Sequence, residues 1–367
     1  MVEKAWTSSV SFSYGALVGL LPFHFDVLIT NRSSTMMVVM TAMILVVVGV
    51  LLLLLWRARR RRGGVYLVDY GCFLGEPRHR VPFAMALEHG RLMTNLLDEE
   101  STNFMVRLHQ KSGIGEETSV PDSFRKREML VPNVLFRMGA AAIIMSNSPE
   151  KARFRLGPIV RTLTAARDGD YRCAFQEEDD EGITGINLSK DLPVVAANAL
   201  KGHLVAFGLA VLPTSELLRV AISFINHKII NKFFTTTKDS NNNYYRPGFH
   251  RLFQHFCIHP GGRRVLDEVQ RGLGLTDDDM EASHMTLHRF GNMASSSLLY
   301  ELAYIEAKGR MKKGDRVCMI SFSPGIDCSS VVWECIKPTD HHLHHGPWAA
   351  CIDRYPVQLP KIVKRPA

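Results

Sequence analysis

The chain has 367 residues, 46% of them apolar, enough for one large domain or two ordinary ones with a sizeable core. Its net charge of +8 would suit a nucleic acid or an anionic surface, but Arg57, Arg59, Arg60, Arg61 and Arg62 carry five of those charges and leave +3 for everything else. The basicity is local, which argues against nucleic acid as a partner.

In chain order, Ser9 to Thr30 is an apolar stretch interrupted by Pro22, His24 and Asp26. A charge in mid-membrane is expensive, so the stretch reads equally as a poor first span or as an interfacial segment. Met36 to Trp56 carries no charge and at the helical rise covers about 30 Å, which predicts a transmembrane helix. The basic flank 57–62 should stay cytosolic and keep the large domain on that side. No small-residue cleavage site marks a removed signal peptide, and the sequon Asn31-Arg32-Ser33 sits too near the membrane for glycosylation. Residues 1–64 are therefore expected to form a membrane anchor, with contacts to lipid.

Beyond the anchor the order of elements is mixed α/β. Ala140 to Met145 predicts a buried strand, with Arg172 to Gln176 as a candidate partner. Ser189 suits the N-cap of a helix whose Leu192, Val195, Ala196, Ala199 and Leu200 share one face. His203 continues that face and reads as a hydrogen-bonded core histidine. Thr235 to Pro247 reads as a surface loop, Ser295 to Lys308 as a helix and Arg316 to Phe322 as a strand. The expected divisions are 65–234, 235–337 and a polar tail, 338–367.

The seven cysteines are odd in number and contain no Cys-x-x-Cys pair, a reduced, cytosolic pattern without a zinc framework. His255 and His259 would share a helix face as a metal pair, but Pro260 and two glycines end the element and no third ligand follows. His341, His342, His344 and His345 read as a solvated tract. No metal site is expected.

Two polar clusters in apolar surroundings stand out: His255-Phe256-Cys257-Ile258-His259-Pro260-Gly261-Gly262 and His288-Arg289-Phe290-Gly291-Asn292. An imidazole and a carboxamide, each beside glycines that let a substrate approach, are the donors that a developing oxyanion needs. No cysteine or serine upstream lies in the setting of a nucleophile. Cys257 would share a face with His259 in an extended segment.

These clusters, with Ser295-Ser296-Ser297-Leu298-Leu299-Tyr300-Glu301-Leu302-Ala303-Tyr304-Ile305-Glu306-Ala307-Lys308-Gly309-Arg310, closely resemble the plant 3-ketoacyl-CoA synthases of very-long-chain fatty acid elongation. So do Val65-Tyr66-Leu67-Val68-Asp69-Tyr70, Arg80-Val81-Pro82-Phe83, Ser112-Gly113-Ile114-Gly115-Glu116-Glu117-Thr118, Leu135-Phe136-Arg137-Met138-Gly139, Gln176-Glu177-Glu178-Asp179-Asp180 and Leu188-Ser189-Lys190-Asp191-Leu192, in order. The resemblance runs from Val65 to the region of Pro347-Trp348. It implies a thiolase-like fold of duplicated α/β halves in five layers, preceded here by the transmembrane anchor, in the endoplasmic reticulum membrane.

The resemblance also implies a reaction. A cysteine thiolate takes the acyl group from a long-chain acyl-CoA, malonyl-CoA loses CO2, and its enolate attacks the acyl-enzyme. His259 and Asn292 match the residues that hold the malonyl thioester oxygen. No cofactor is implied beyond the two CoA substrates. His255 and His288, each four residues before one of those donors, either orient them or are tied to backbone carbonyls. Arg289 and Arg137 read as structural ties, and Cys72 and Cys173 as core residues.

The chain departs from the family pattern most where Pro121-Asp122-Ser123-Phe124 is followed almost at once by Arg127-Glu128-Met129-Leu130. There the family has central strands and the helix bearing its nucleophilic cysteine, so the N-terminal half is incomplete. Ser321-Phe322-Ser323-Pro324-Gly325 replaces a glycine-rich loop, Met293 and Ala294 replace small hydroxylated residues, and Leu299 replaces an aromatic one. Ala206-Phe207-Gly208-Leu209 also departs from the family. Three outcomes follow as expectations: a shortened form of a condensing enzyme, a non-catalytic partner forming a homodimer or a heterodimer with intact synthases or other elongation proteins, or malonyl-CoA decarboxylation alone.

Overall fold

Strands from both ends of the chain share one sheet. In the computed structural model the described residues are 64–92, 99–120, 134–178, 184–233, 247–323, 325–339 and 344–359, with Gly49 and Tyr245. The expected spans 9–30 and 36–56, the basic flank 57–62, the junction 124–129, most of the loop 235–247, and His341 and His342 lie outside them.

The six-stranded sheet is built from β1 (Tyr66–Cys72), β2 (Ala141–Ser146), β3 (Phe154–Leu163), β6 (His255–Ile258), β7 (Arg316–Ser323) and β8 (Asp327–Cys335), in the order β2-β1-β3-β8-β7-β6. All neighbours are antiparallel except β6 and β7, which run parallel with His255 opposite Val317 and Ile258 opposite Ile320. Strands from both sides of residue 235 therefore hydrogen-bond to one another, β3 pairing with β8 from Phe154↔Cys335 to Leu163↔Asp327. A separate hairpin joins β4 (Ala174–Glu178) to β5 (Thr184–Leu188).

Two expectations about strands are corrected here. The apolar run after Ala140 does form a strand, but β2 is an edge strand whose Ile143, Ile144 and Met145 are exposed, not buried. Nor does it pair with the segment after Arg172: β2 pairs with β1, and β4 pairs with β5. Six consecutive apolar residues, Ala140 to Met145, signal a strand, yet which neighbour covers it is decided by topology.

The helices follow local chemistry more closely. After α1 (Phe83–Leu92) and α2 (Glu99–Ser112) comes α3 (Leu192–Val211), entered by Ser189, whose Oγ accepts the Asp191 N–H at 3.2 Å. Ala199, with Leu192 and Val195, packs against Cys173, Ile326 and Cys328, the face the periodicity predicts. His203 is fully buried, with Nδ1 at 3.0 Å from Thr162 Oγ1 and Nε2 at 2.5 Å from Ser330 Oγ. Among the described residues, Val194–Val211 is the one window long and apolar enough to cross a bilayer, but bonds from His203 to two sheet residues are those of a core helix.

The chain divides into two compact units. The second comprises 12–64 and 204–247, and its described part is the end of α3 and α4 (Thr214–Phe233), where Tyr245 donates to Glu216 at 2.6 Å. The first, 65–203 with 248–367, carries the sheet and α5 (Arg263–Leu273), α6 (Asp277–Phe290) and α7 (Ser297–Ala307). Helix α6 opens on a capping box: Thr276 Oγ1 accepts the Asp279 N–H at 3.2 Å, and Asp279 accepts the Thr276 N–H at 2.9 Å. Such a cap contributes about 1 kcal/mol. It fixes the start of the helix that delivers Asn292.

Residues 344–359 are no polar tail. Trp348, Cys351, Ile352 and Tyr355 are buried, and Trp348 donates its indole N–H to the Tyr300 carbonyl at 2.8 Å. Its ring meets Phe290 and Tyr304 edge-on at 5.0 and 4.7 Å. The polar residues around Pro338 obscured four large side chains that close the core over α6 and α7.

Candidate active site

His259 follows directly on β6, and its backbone is held before its ring is considered. Its N–H donates to the Ile320 carbonyl of β7 at 2.9 Å, and its own carbonyl accepts the Gly261 N–H at 2.8 Å. The ring stands edge-on to Phe322 at 6.3 Å and meets the Ala294 carbonyl, while Nδ1 is buried with no hydrogen-bond partner. Burial pushes its pKa down to about 4, against the smaller opposing pull of that carbonyl. At neutral pH His259 is therefore an uncharged imidazole with one N–H to donate.

Asn292 is set by the segment 135–137. Its N–H donates to the Leu135 carbonyl at 3.3 Å, its carbonyl accepts the Arg137 N–H at 2.8 Å, and it forms a parallel bridge with Phe136. The side-chain Oδ1 accepts the Ala294 N–H at 3.0 Å. With the oxygen so used, the NH2 end of the carboxamide is the part left to donate.

His259 and Asn292, brought from two elements, thus converge on one residue. Ala294 gives its N–H to one and its carbonyl to the other, and it holds φ +54°, a conformation that costs a side-chain-bearing residue about 1–2 kcal/mol. Hydroxyls fix the turn: Met293 N–H donates to Ser297 Oγ at 3.1 Å, and Ser296 Oγ donates to the Met293 carbonyl at 2.7 Å.

The neighbouring glycines do something other than admit substrate. Gly291, at φ +75°, leaves the space that Arg137 occupies, since a Cβ there would lie 2.3 Å from Arg137 Cγ. A Cβ on Gly261 would touch the His259 ring at 3.4 Å. The missing Cβ of Gly291 serves the close packing of Arg137 beside Asn292, whereas one on Gly261 would make only ordinary contact.

His255 and His288, read either as orienting His259 and Asn292 or as tied to backbone carbonyls, meet other side chains. His255, at the opposite end of β6, bonds through Nε2 to Asp315 Oδ2 at 2.9 Å. His288 turns to Tyr355, Nδ1 to hydroxyl 3.3 Å, and its carbonyl accepts the Gly115 N–H. Four residues of strand carry a side chain about 13 Å, too far to touch. Arg289 and Arg137 are ties as expected: Arg289 donates to the Glu117 carbonyl at 2.7 Å, and Arg137 to Thr118 Oγ1 at 2.7 Å.

Six of the seven cysteines are pushed away from the thiolate form by burial. Burial raises Cys257 and Cys318 well above the usual thiol, Cys72 and Cys328 to about 12, and Cys335 to about 11. Cys173 is raised as well. Cys257 packs into the core among Met285, Tyr304 and Met319 and cannot be presented to a substrate.

Two residues at the site escaped the sequence reading. Glu301, on α7, is fully buried, and Ser283, on α6, joins it to the amide of Ile258, the residue before His259. A signal did exist: Leu298, Leu302 and Ile305 put Glu301 on an apolar helix face. Among the described residues a cavity of about 450 Å³ lies elsewhere, lined by His109, Gly113, Glu116, Arg263, His288 and Tyr355 among others, and by neither His259 nor Asn292.

Comparison with known proteins agrees with the arrangement of the chain. The family described as FAE1/Type III polyketide synthase-like protein matches residues 56–126 and 125–229, and the 3-Oxoacyl-[acyl-carrier-protein (ACP)] synthase III C terminal family matches 252–335. The 3-ketoacyl-CoA synthase 6 of Arabidopsis thaliana is 46% identical over 419 aligned residues, 82% of each chain. That aligned length exceeds the 367 residues of this chain, so it crosses residues that the relative has and this chain lacks. The Arabidopsis 3-ketoacyl-CoA synthase 5 is 45% identical over 74% of this chain and 55% of its own, and the probable 3-ketoacyl-CoA synthase 14 is 43% identical over 73% and 57%. A solved chain, PKS-I of the brown alga Ectocarpus siliculosus, overlaps 56% of this chain and 47% of its own at 22% identity with a TM-score of 0.38.

Proposed function

Because the chain belongs to the 3-ketoacyl-CoA synthase family of very-long-chain fatty acid elongation, we propose that it carries the malonyl-CoA half of that family's condensing site and lacks the acyl-accepting half. Family members join a long-chain acyl-CoA to malonyl-CoA with loss of CO2. Here the neutral His259 N–H and the Asn292 NH2 would donate to the malonyl thioester oxygen as negative charge gathers on it. The C–C bond to the carboxylate breaks, CO2 leaves, and with no acyl-enzyme to attack, the enolate takes a proton from water and leaves as acetyl-CoA. Each such donor is worth about 3–4 kcal/mol of barrier. The reading asks for no metal or organic cofactor, because N–H donors meet the developing charge.

The observation that carries this reading is the meeting of His259 and Asn292 on Ala294 in a chain whose Cys257, Cys318, Cys72, Cys328 and Cys335 thiols are all pushed up by burial. The full chain should release labelled CO2 from carboxyl-labelled malonyl-CoA, and His259→Ala should not. Release no greater than that of the variant would overturn it.

A second reading is favoured by the alignment. The family match breaks at residues 125–126, and the 419-residue alignment is longer than the chain, as when one internal segment is missing. In that reading a longer product carries the cysteine segment and is an ordinary condensing enzyme. Full-length cDNA sequence across the codons for Phe124 to Met129 decides between the two: an additional in-frame segment with a cysteine would replace the first reading with the second. In either case the uncharged run 36–56 and the arginines after it support an endoplasmic reticulum anchor with the large domain in the cytosol, and pairing with intact synthases is the partnership to test by co-purification.

A further inference from the structure

Among the described residues strand β6 is the outermost of its sheet, so the amides on its far side have no described strand to pair with. Successive amides point in opposite directions: His259 N–H goes inward to Ile320, and Ile258 N–H goes outward, where it meets Ser283 Oγ at 3.0 Å. Ser283 in turn donates to Glu301 Oε2 at 2.7 Å. Both side chains are wholly buried between β6, α6 and α7.

Glu301 is a costly residue to place there. It occupies the apolar face of α7 with Leu298, Leu302 and Ile305, no basic side chain pairs with it among the described residues, and its Oε1 is buried with no hydrogen-bond partner. A leucine would pack on that face without the desolvation penalty. Burial raises the Glu301 pKa above its ordinary value, against the smaller opposing pull of the Ser283 hydroxyl and the Ile258 amide. Its expense falls on the peptide immediately before the imidazole.

We propose that Ser283 and Glu301 are positioning residues for His259, standing in for the absent neighbour strand at the outer edge of β6 and fixing the backbone from which the imidazole projects. The pair acts through Ile258 and touches no substrate. With both amides of the Ile258–His259 step held from opposite sides, the ring has one approach to the Ala294 carbonyl and to whatever oxygen replaces it. The proposal deepens the malonyl-handling reading and rests on it only for its kinetic consequence.

The test uses the full chain with Ser283→Ala, Glu301→Gln and Glu301→Leu, and two measurements. One is CO2 release from malonyl-CoA, separated into kcat and KM. The other is the His259 ring resonance by NMR, assigned by its loss in His259→Ala, which needs no activity. Glu301→Gln keeps an acceptor for Ser283 and should preserve both. Glu301→Leu should lower kcat by about 10²-fold with KM nearly unchanged, the scale of a small misplacement of a reacting group, and should shift or broaden the His259 signal. Ser283→Ala should disturb the same signal in a variant that removes only one oxygen. An unaltered His259 resonance in Ser283→Ala, or unaltered kcat in folded Glu301→Leu, would overturn the proposal. Absence of CO2 release from the unmodified chain would sink the malonyl reading alone and leave the resonance measurement to decide this one.

Discussion

Asn292 holds Ala294 in a left-handed conformation: its Oδ1 accepts the Ala294 N–H at 3.0 Å while Ala294 sits at φ +54°. The same bond orients the carboxamide, because an occupied oxygen leaves the NH2 free to donate. Asn292→Asp retains the acceptor and loses the donor, so CO2 release should fall by about 10²–10³-fold with little change in the urea midpoint. Asn292→Ala loses both and should also destabilise the fold by about 1–2 kcal/mol. Equal midpoints for the two variants would show that Asn292 does not hold the turn.

Stability should fall as the solution is acidified below neutrality. Burial lowers both His203 and His259 from 6.5 to about 4. Between those values the unfolded chain binds protons that the folded chain refuses, so stability is full above about 6.5 and is lost as pH drops toward about 4. Each histidine contributes roughly 1.4 kcal/mol per pH unit within the window. Urea unfolding from pH 7 to pH 4 should therefore be steeper for the unmodified chain than for His203→Gln by that amount. The carboxylates are common to both proteins, so identical slopes would mean that His203 titrates normally.

Thiol chemistry gives an independent check on the missing nucleophile. Cys257 and Cys318 are fully buried, and Cys72, Cys328 and Cys335 are raised to about 11 or 12, so native protein at pH 8 should react slowly with a disulfide reagent. All seven cysteines should titrate after denaturation. A single fast-reacting thiol in the native chain, located by peptide mapping, would identify a nucleophile and revive the condensing reaction.

The edge of β2 is a point of weakness. Ile143, Ile144 and Met145 are 49%, 62% and 44% exposed on a strand that, among the described residues, has one unpaired side, the arrangement that invites pairing with another chain. The unmodified chain should self-associate through this edge in sedimentation measurements, and Ile144→Lys should shift it toward monomer without lowering the unfolding midpoint. A monomeric unmodified chain, or a distribution unchanged by Ile144→Lys, would show that this edge does not pair.

Much of this protein is legible in its amino-acid sequence. Motif residues in order identify the family, the imidazole and carboxamide proposed as donors stand in recognisable clusters, and the short passage from Phe124 to Arg127 marks where the resemblance puts the family's cysteine segment. The face of α3, the core role of His203 and the ties made by Arg137 and Arg289 also follow from side-chain period and chemistry, because those are properties of one element and its immediate surroundings. Only the tertiary structure decided which long-range partners surround His259. Ser283, Glu301 and Ile258 lie on three different elements, and nothing in the spacing of each announces the other two. The same reason explains the corrections: β2 and β4 are strands by composition, but their partners and exposure belong to the sheet order, and Trp348 is a core residue because α6 and α7 pack so as to leave it a place. His255 and His288 turn to Asp315 and Tyr355 instead of to His259 and Asn292: four residues of strand carry His255 about 13 Å from His259, and Asn292 lies beyond the end of α6, after Gly291 at φ +75°. Local sequence sets what a residue can do, and packing across the chain sets which residues it does it with.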